Sequence, residues 1–351
     1  MRLPQSSEEI DAAWLNEALA PHYPGAEVTG VSHGTIIHGT ATKVRLLLDY
    51  NDAGHAHGLP PTMWYKGGLE AHSGGADMMS VYEIEARFYR DLAPQLDMTL
   101  PKAFGVAFEP KSGQSAILLE DMLARNARFG YATRPASPRL AASVLEQLAR
   151  LHGAFWGDST LRANRPLVTG GVTLASFLQS YLFEASNWER CRALPRGAFL
   201  TEELADLRHM DEMMQKMLAE DRIAGASLVH GDAHLGNVCI LPGEAASFLD
   251  WQAVMLGHWA HDVGYFLAAA MTIADRRAHE RDLIEHYRKA LNAAGGSLSA
   301  EAAWNDYRRH ALYAFCWFPC NPEWQPEEVA ATNAERAIAT ILDLDTLAFW
   351  R

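Results

Sequence analysis

The sequence predicts an α+β chain in two parts, a small sheet-forming part followed by a larger, mainly helical one. Three observations carry this expectation. Between Val28 and Leu119, short β-branched and aromatic runs alternate with Gly, Pro and Asn turn residues, the texture of strands. Beyond Glu120-Asp121, apolar residues recur at the three-to-four spacing of helices. The chain has 351 residues, 49% of them hydrophobic, enough core for two lobes sharing one cleft. The division is expected at residue 121, giving parts 1–121 and 122–351.

The elements follow in order. Ser6 and Glu9 have the form of a capping box ahead of an amphipathic helix over Ile10–Leu19. Val28–Ser32 and Thr42–Leu48 read as strands joined by a Gly/Thr-rich loop, and Asp49–Leu59 as a hairpin loop. Thr62–Lys66 is a third strand. Asp77–Leu92 has helical spacing, with Val81, Ile84, Phe88 and Leu92 on one face. Strands around Phe104–Phe108 and Ser115–Leu119 complete the first part. The second part predicts helices over Pro138–Trp156, Leu174–Glu189, Glu202–Glu220, Ala260–Ala274, Arg277–Ala293, Ala300–Trp317 and Pro326–Thr346. Ser227–Gln252 interrupts them, with two short apolar runs bracketing polar residues.

Composition narrows the classes. The longest apolar run, Val263–Ala274, is short of the ~18 residues a membrane span needs, and the first six residues lack an apolar leader core. Four irregularly spaced cysteines make no disulfide framework, so a reduced, cytoplasmic, soluble protein is expected. Cys316 and Cys320 sit four apart but have no matching second pair, and read as small core residues. Thirty basic against forty-three acidic residues give a net charge of −13, which repels nucleic acid and anionic membranes and tolerates cationic ligands. The oligomeric state is not legible.

The chemistry concentrates in Leu228-Val229-His230-Gly231-Asp232-Ala233-His234-Leu235-Gly236-Asn237 and in Ser247-Phe248-Leu249-Asp250-Trp251-Gln252. Phosphoryl transfer asks a protein for a carboxylate that orients and deprotonates the attacking hydroxyl, oxygen ligands for Mg²⁺, and groups that clamp phosphates. Asp232 can serve as that base. Asn237 offers an amide oxygen and Asp250 a carboxylate, both suited to a hard cation. The stretch between them has room for two short strands turning at Pro242-Gly243, which would return Asp250 beside Asn237. A metal-dependent hydrolase using His230, Asp232 and His234 as ligands is the chemical rival, since alternate strand positions face one way. That reading leaves Asn237 and Asp250 unused.

His230-x-Asp232-x-x-x-x-Asn237, with Asp250 thirteen residues on, resembles the signature of the aminoglycoside phosphotransferase and choline kinase superfamily. The resemblance spans Gly34 to Asp262 and implies a two-lobed protein-kinase-like fold, with a small antiparallel-sheet lobe and a larger helical lobe. It implies an enzyme that uses ATP and Mg²⁺ to phosphorylate a hydroxyl of a small molecule. Asp232 is then the catalytic base, Asn237 and Asp250 hold Mg²⁺, and His230 is a structural member of the loop. Lys66, at a strand end before Gly67-Gly68, becomes the phosphate lysine, and Glu85 its helix partner; Glu85 is preferred to Glu83 because Glu-x-x-Phe-Tyr resembles this family's helix. His33–Thr40 stands where a phosphate-covering loop belongs, with Gly34 and Thr35 as contacts, although it departs from Gly-x-Gly-x-x-Gly. Leu118–Met122 resembles the interlobe hinge, where the main chain of Glu120 and Met122 would bond adenine. Asp262 would brace the catalytic loop, its plainer alternative being a helix cap.

For the acceptor, the acidic charge suits an aminoglycoside or other antibiotic, whereas Trp304, Trp317, Phe318, Trp324 and Trp350 suit a flat or apolar molecule if they line the cleft and the core if they do not. Leu119-Glu120-Asp121 and Asp250-Trp251-Gln252 resemble the ecdysteroid-kinase-like branch, so an apolar or steroid-like alcohol is the expected substrate. A non-catalytic nucleotide-binding module is the alternative from another class. Retention of Lys66, Glu85, Asp232, Asn237 and Asp250 together argues against it.

Overall fold

The computed structural model describes residues 2–74, 76–163, 167, 173–224 and 227–351. Contacts divide the chain into two compact units: Met1–Gln95, Leu100–Ala127 and Asp250–Gln252 form the first, and the remainder forms the second.

The first unit is built on a five-stranded antiparallel sheet. Helix α1 (Ala12–Leu19) precedes it, capped by Asp11, whose carboxylate accepts the Trp14 N–H at 2.8 Å; Ser6 makes no side-chain cap bond, so the expected capping box does not form. Then come β1 (Val28–Ile37), β2 (Thr42–Tyr50), the short α2 (Asp52–Ala56), β3 (Thr62–Gly67), α3 (Ala76–Arg87), β4 (Ala103–Glu109) and β5 (Gln114–Glu120). The spatial order is β1-β2-β3-β5-β4. One face of β2 places Val44, Leu46 and Leu48 against Met63 and Tyr65 of β3, and α1 covers them with Leu15, Leu19 and Trp14. Period-2 alternation along β2 is visible as strict inside–outside burial. Two expectations are corrected here. The first strand runs on to Ile37, through the stretch read as a loop, and a five-residue helix capped by Asn51 occupies the expected hairpin loop.

The second unit contains β6 (Arg128–Phe129), α4 (Pro138–Ala154), α5 (Ala185–Arg192), α6 (Leu207–Ala224), β7 (Ser227–Val229), β8 (Val238–Leu241), β9 (Ala245–Phe248), β10 (Met255–Gly257), α7 (Trp259–Ala270), α8 (Ile273–Ala293), α9 (Ala300–His310) and α10 (Glu327–Asp343). β8 pairs with both β6 and β9, and β7 pairs with β10. All twelve residues of α7 are buried, which is why the longest apolar run of the sequence lies here: the helix is enclosed by protein on every face. Among the described residues no helix is long and apolar enough to cross a membrane.

Candidate active site

In the first unit, three chain segments converge on one ammonium group. β3 ends by pointing Lys66 inward, 4% exposed, where its Nζ donates to Glu85 Oε1 at 2.7 Å and to Asp250 Oδ1 at 2.9 Å. Burial alone would weaken the ammonium, but Asp250 and Glu85 raise the Lys66 pKa above its ordinary value and keep it charged. Glu85 comes from α3 and also accepts the Trp251 N–H at 3.2 Å. Glu83, its neighbour on α3, is taken up by Arg87 at 2.7 Å instead. Trp251 lies flat on Phe88, with ring centroids 3.8 Å apart and planes 8° from parallel, which fixes the short segment carrying Asp250. Asp250 itself has φ +61°, the left-handed region that L-residues other than Asn, Asp and Gly seldom occupy.

Lys43, which sequence reasoning missed, belongs to the same group. It faces Lys66 across the β2–β3 ladder, and its Nζ stands 3.6 Å from Asp250 Oδ2. Like charges directly opposite on a sheet repel, and a carboxylate reaching both relieves that. The sequence signal is that Lys43 lies at the start of one strand and Lys66 at the end of the next, which antiparallel pairing sets opposite each other.

Gly34 and Thr35 lie at a bulge in β1: His33 pairs with Leu46 and Ile36 with Val44, so one strand carries an extra residue. Glu120 ends β5, and its N–H donates to the Lys102 carbonyl at 2.8 Å. Met122 is buried, and its carbonyl accepts the Ala127 N–H at 3.2 Å. Asp121 between them is buried against Arg45 and Trp64, with Oδ2–Nε 2.8 Å and Oδ1–Nε1 3.2 Å, and orders the turn that follows.

In the second unit, buried β7 delivers the chain into the His230–Asn237 loop. Gly231 has φ +80°, and a Cβ there would meet the Ala253 carbonyl oxygen at 2.2 Å, so glycine is required twice over. Asp262, in the first turn of α7, accepts the His230 N–H at 2.7 Å and the Gly231 N–H at 2.9 Å. Burial would raise the Asp262 pKa, but the His152 ring at 3.0 Å lowers it and keeps the carboxylate ionised. The His230 ring accepts the Asp232 N–H on Nδ1 at 3.2 Å and donates from Nε2 to the Leu249 carbonyl at 3.0 Å.

Asp232 carries a carboxylate that is 42% exposed. Asn237 Nδ2 donates to the Asp232 carbonyl at 2.9 Å and to Asp232 Oδ2 at 3.0 Å, which leaves its Oδ1 as an acceptor. The Asn237 carbonyl in turn takes the Leu249 N–H at 2.9 Å, at the open end of the β8–β9 hairpin whose turn is Pro242–Glu244. His234 accepts the Gly236 N–H on Nδ1, which puts its proton on Nε2, 3.6 Å from Asp232 Oδ2.

The structure thus groups Lys66, Glu85 and Asp250 in the first unit and Asp232 and Asn237 in the second. Both ring nitrogens of His230 are engaged, so it has no lone pair for a metal. Among the described residues, no group of three His, Cys, Asp or Glu side chains is placed to hold one. The hydrolase alternative loses its ligand set.

A family model described as the phosphotransferase enzyme family matches residues 79–313. No curated protein matches the sequence. A Ralstonia eutropha structure, provisionally described as an aminoglycoside phosphotransferase, is similar in fold at 15% identity and TM-score 0.51, over 97% of this chain and 99% of that one. Macrolide 2′-phosphotransferase from Brachybacterium faecium is similar at 16% identity and TM-score 0.42, over 94% and 97%. Ethanolamine kinase from Plasmodium vivax is similar at 12% identity and TM-score 0.47, over 91% and 82%.

Proposed function

Because the chain belongs to the phosphotransferase enzyme family, we propose that it transfers the terminal phosphoryl group of ATP to a hydroxyl of a small-molecule alcohol, with Asp232 as catalytic base. The observation that carries this reading is the buried Lys66 ammonium held between Glu85 and Asp250. A lysine buried at that cost and kept charged is prepared for a polyanion.

Lys66, with Lys43 beside it, holds phosphate oxygens, and Gly34 and Thr35 at the β1 bulge offer amide and hydroxyl donors to them. The Glu120 and Met122 main chain receives adenine. Asp232 is open to solvent, and Asn237 and His234 donate or aim protons at it, so the carboxylate is oriented before an acceptor arrives. It takes the hydroxyl proton as the acceptor oxygen bonds to the γ-phosphorus. The bond to the bridging oxygen then breaks, and its electron pair leaves with ADP. Asn237 Oδ1 and the Asp250 carboxylate are each hard oxygen donors of the kind Mg²⁺ takes. When bound, that ion would supply positive charge to the phosphate oxygens. Glu85 keeps Lys66 in place, and Trp251 on Phe88 keeps Asp250 in place.

For the acceptor, an apolar or steroid-like alcohol is favoured. Trp317, Phe318 and Trp350 are core residues, but Trp324 is 45% exposed and stacks with exposed Phe177 at 5.4 Å beside Tyr181. Three solvent-facing rings together form a surface for a flat apolar body. The net charge of −13 favours the second reading, a cationic antibiotic acceptor.

The test is thermal unfolding with millimolar Mg·ATP, followed by ATP consumption with a panel of sterols, simple alcohols and aminoglycosides. Stabilisation, and a phosphate ester formed from a sterol-like member, are expected. Folded protein that shows no shift with Mg·ATP overturns the kinase reading; turnover confined to aminoglycosides overturns the acceptor.

A further inference from the structure

Behind the catalytic loop lies a buried charge cluster that neither the sequence motif nor the proposed mechanism uses. Asp221 of α6, His258 before α7, His261 of α7 and His310 at the end of α9 converge there. Asp221 Oδ1 takes the His310 Nε2–H at 2.7 Å, and His310 Nδ1 lies 2.8 Å from the Asp306 carbonyl. A ring between two acceptors bonds both only as the imidazolium. Asp221 Oδ2 and His261 Nδ1 face each other at 3.6 Å, and neither has a hydrogen-bond partner among the described residues. The opposite edge of His261, Nε2, is 3.4 Å from the Gly231 carbonyl. Gly231 is the residue whose N–H Asp262 holds from its other side.

We propose that Asp221 and His310 are positioning residues: the carboxylate–imidazolium pair orients His261 to donate to the Gly231 carbonyl and so sets the loop that carries Asp232. The role assigned to that loop rests on the kinase reading; the positioning itself does not. The loop peptide is then gripped at both ends, its N–H groups by Asp262 and its carbonyl by His261. His310 stacks on His258, with centroids 4.4 Å apart and planes 8° from parallel. Its other neighbours are Asp306, whose carboxylate also faces His258 at 3.6 Å, the adjacent Arg309 (paired with Glu220) and the Trp350 ring. Burial lowers the His258 pKa, and the adjacent His310 cation adds to this, to about 3, so the stack holds one neutral and one charged ring. Burial works against the His310 cation too, but the Asp221 carboxylate raises its pKa above the ordinary imidazole value. The pair is therefore complete below the ordinary histidine value and is lost as pH rises through the raised one.

The experiment is histidine-labelled NMR titration of the full chain, with the His310 signal assigned by its absence in His310→Gln. It is combined with amide hydrogen exchange of the peptide covering Gly231 and Asp232 in wild type and Asp221→Asn. Expected are a His310 titration above the ordinary value, and loop protection that falls over the same pH range while α4 protection does not. In Asp221→Asn at neutral pH, loop exchange should be about tenfold faster. A wild-type His310 that titrates at or below the ordinary value overturns the proposal, whether or not the variant folds. So does loop protection that is independent of that titration. Neither readout needs turnover, so failure of the kinase reading would show separately, as absence of Mg·ATP binding.

Discussion

Lys66 and its two carboxylates behave as a unit, and their variants should show it. Lys66→Ala leaves Glu85 buried without its cation, a loss of about 3–5 kcal/mol in unfolding free energy. Adding Glu85→Gln should restore part of that stability in denaturant titrations but none of the nucleotide affinity, because the phosphate cation is still missing. Lys66→Ala kinetics equal to wild type at limiting ATP would make the residue purely structural. Asp232→Asn and Asp250→Asn separate the proposed base from the proposed metal ligand. Each keeps side-chain size and removes one negative charge. Asp232→Asn should lower kcat by about 10² or more and leave Mg·ATP binding intact, the behaviour of a general base. Asp250→Asn should raise the Mg²⁺ requirement along with the rate loss, as read by Mg²⁺ titration. Unchanged turnover in Asp232→Asn would exclude the mechanism. At this scale the grouping of Lys66 with Glu85 was legible from their order along the chain, and the structure adds Asp250 to the pair. Lys43 was not: one lysine at the start of a strand looks like any solvated charge, and only the fold brings it 3.6 Å from a carboxylate over two hundred residues away in sequence.

At the level of elements, the segment Asp250–Gln252 is held by the Trp251–Phe88 stack together with the Asp250 ion pairs and the Trp251 N–H bond to Glu85. Trp251 and Phe88 are both fully buried, so Trp251→Ala should cost about 3–5 kcal/mol of stability. Because Asp250 is its neighbour, nucleotide affinity should fall as well, which calorimetry on the folded variant would measure. Retained affinity would mean that Asp250 is placed by its ion pairs alone. Strands with strict alternation, such as Thr42–Leu48, were legible from pattern, as was the β8–β9 hairpin turning at Pro242-Gly243. The failures have local causes. Gly34 and Thr35 read as a turn because those residues favour turns, yet cross-strand pairing extends β1 past them and absorbs the misfit as a bulge. The helix Asp52–Ala56 is too short for periodicity, and only Asn51, as its cap, marks it.

For the whole molecule, Mg·ATP at a hundredfold excess over its Kd should stabilise the fold by about 2.7 kcal/mol, and EDTA should remove much of that shift. Acid should do the opposite. Asp262 and Asp221 are both held below the ordinary carboxylate range, by His152 and by His310 respectively, against burial. Their contribution is complete above the unfolded carboxylate value of about 4 and is lost as pH falls through their lower folded values, so Tm should drop steeply only below about pH 4. A midpoint insensitive to pH down to 2 would show that these carboxylates titrate in the folded chain as they do in the unfolded one. The chain's division into units could not be read linearly, because Asp250–Gln252 belong with residues 1–95 and 100–127 through contacts such as Lys66–Asp250 and Phe88–Trp251. That return has a consequence for how the protein is made. A ribosome adding 5–20 residues per second reaches Asp250 roughly 6–25 seconds after Ala127. Throughout that interval the nascent first unit has its sheet but lacks its last three residues. Lys43 and Lys66 then oppose each other with no Asp250 near them, and the face of Phe88 is bare. The amino-terminal unit of this protein cannot finish folding first.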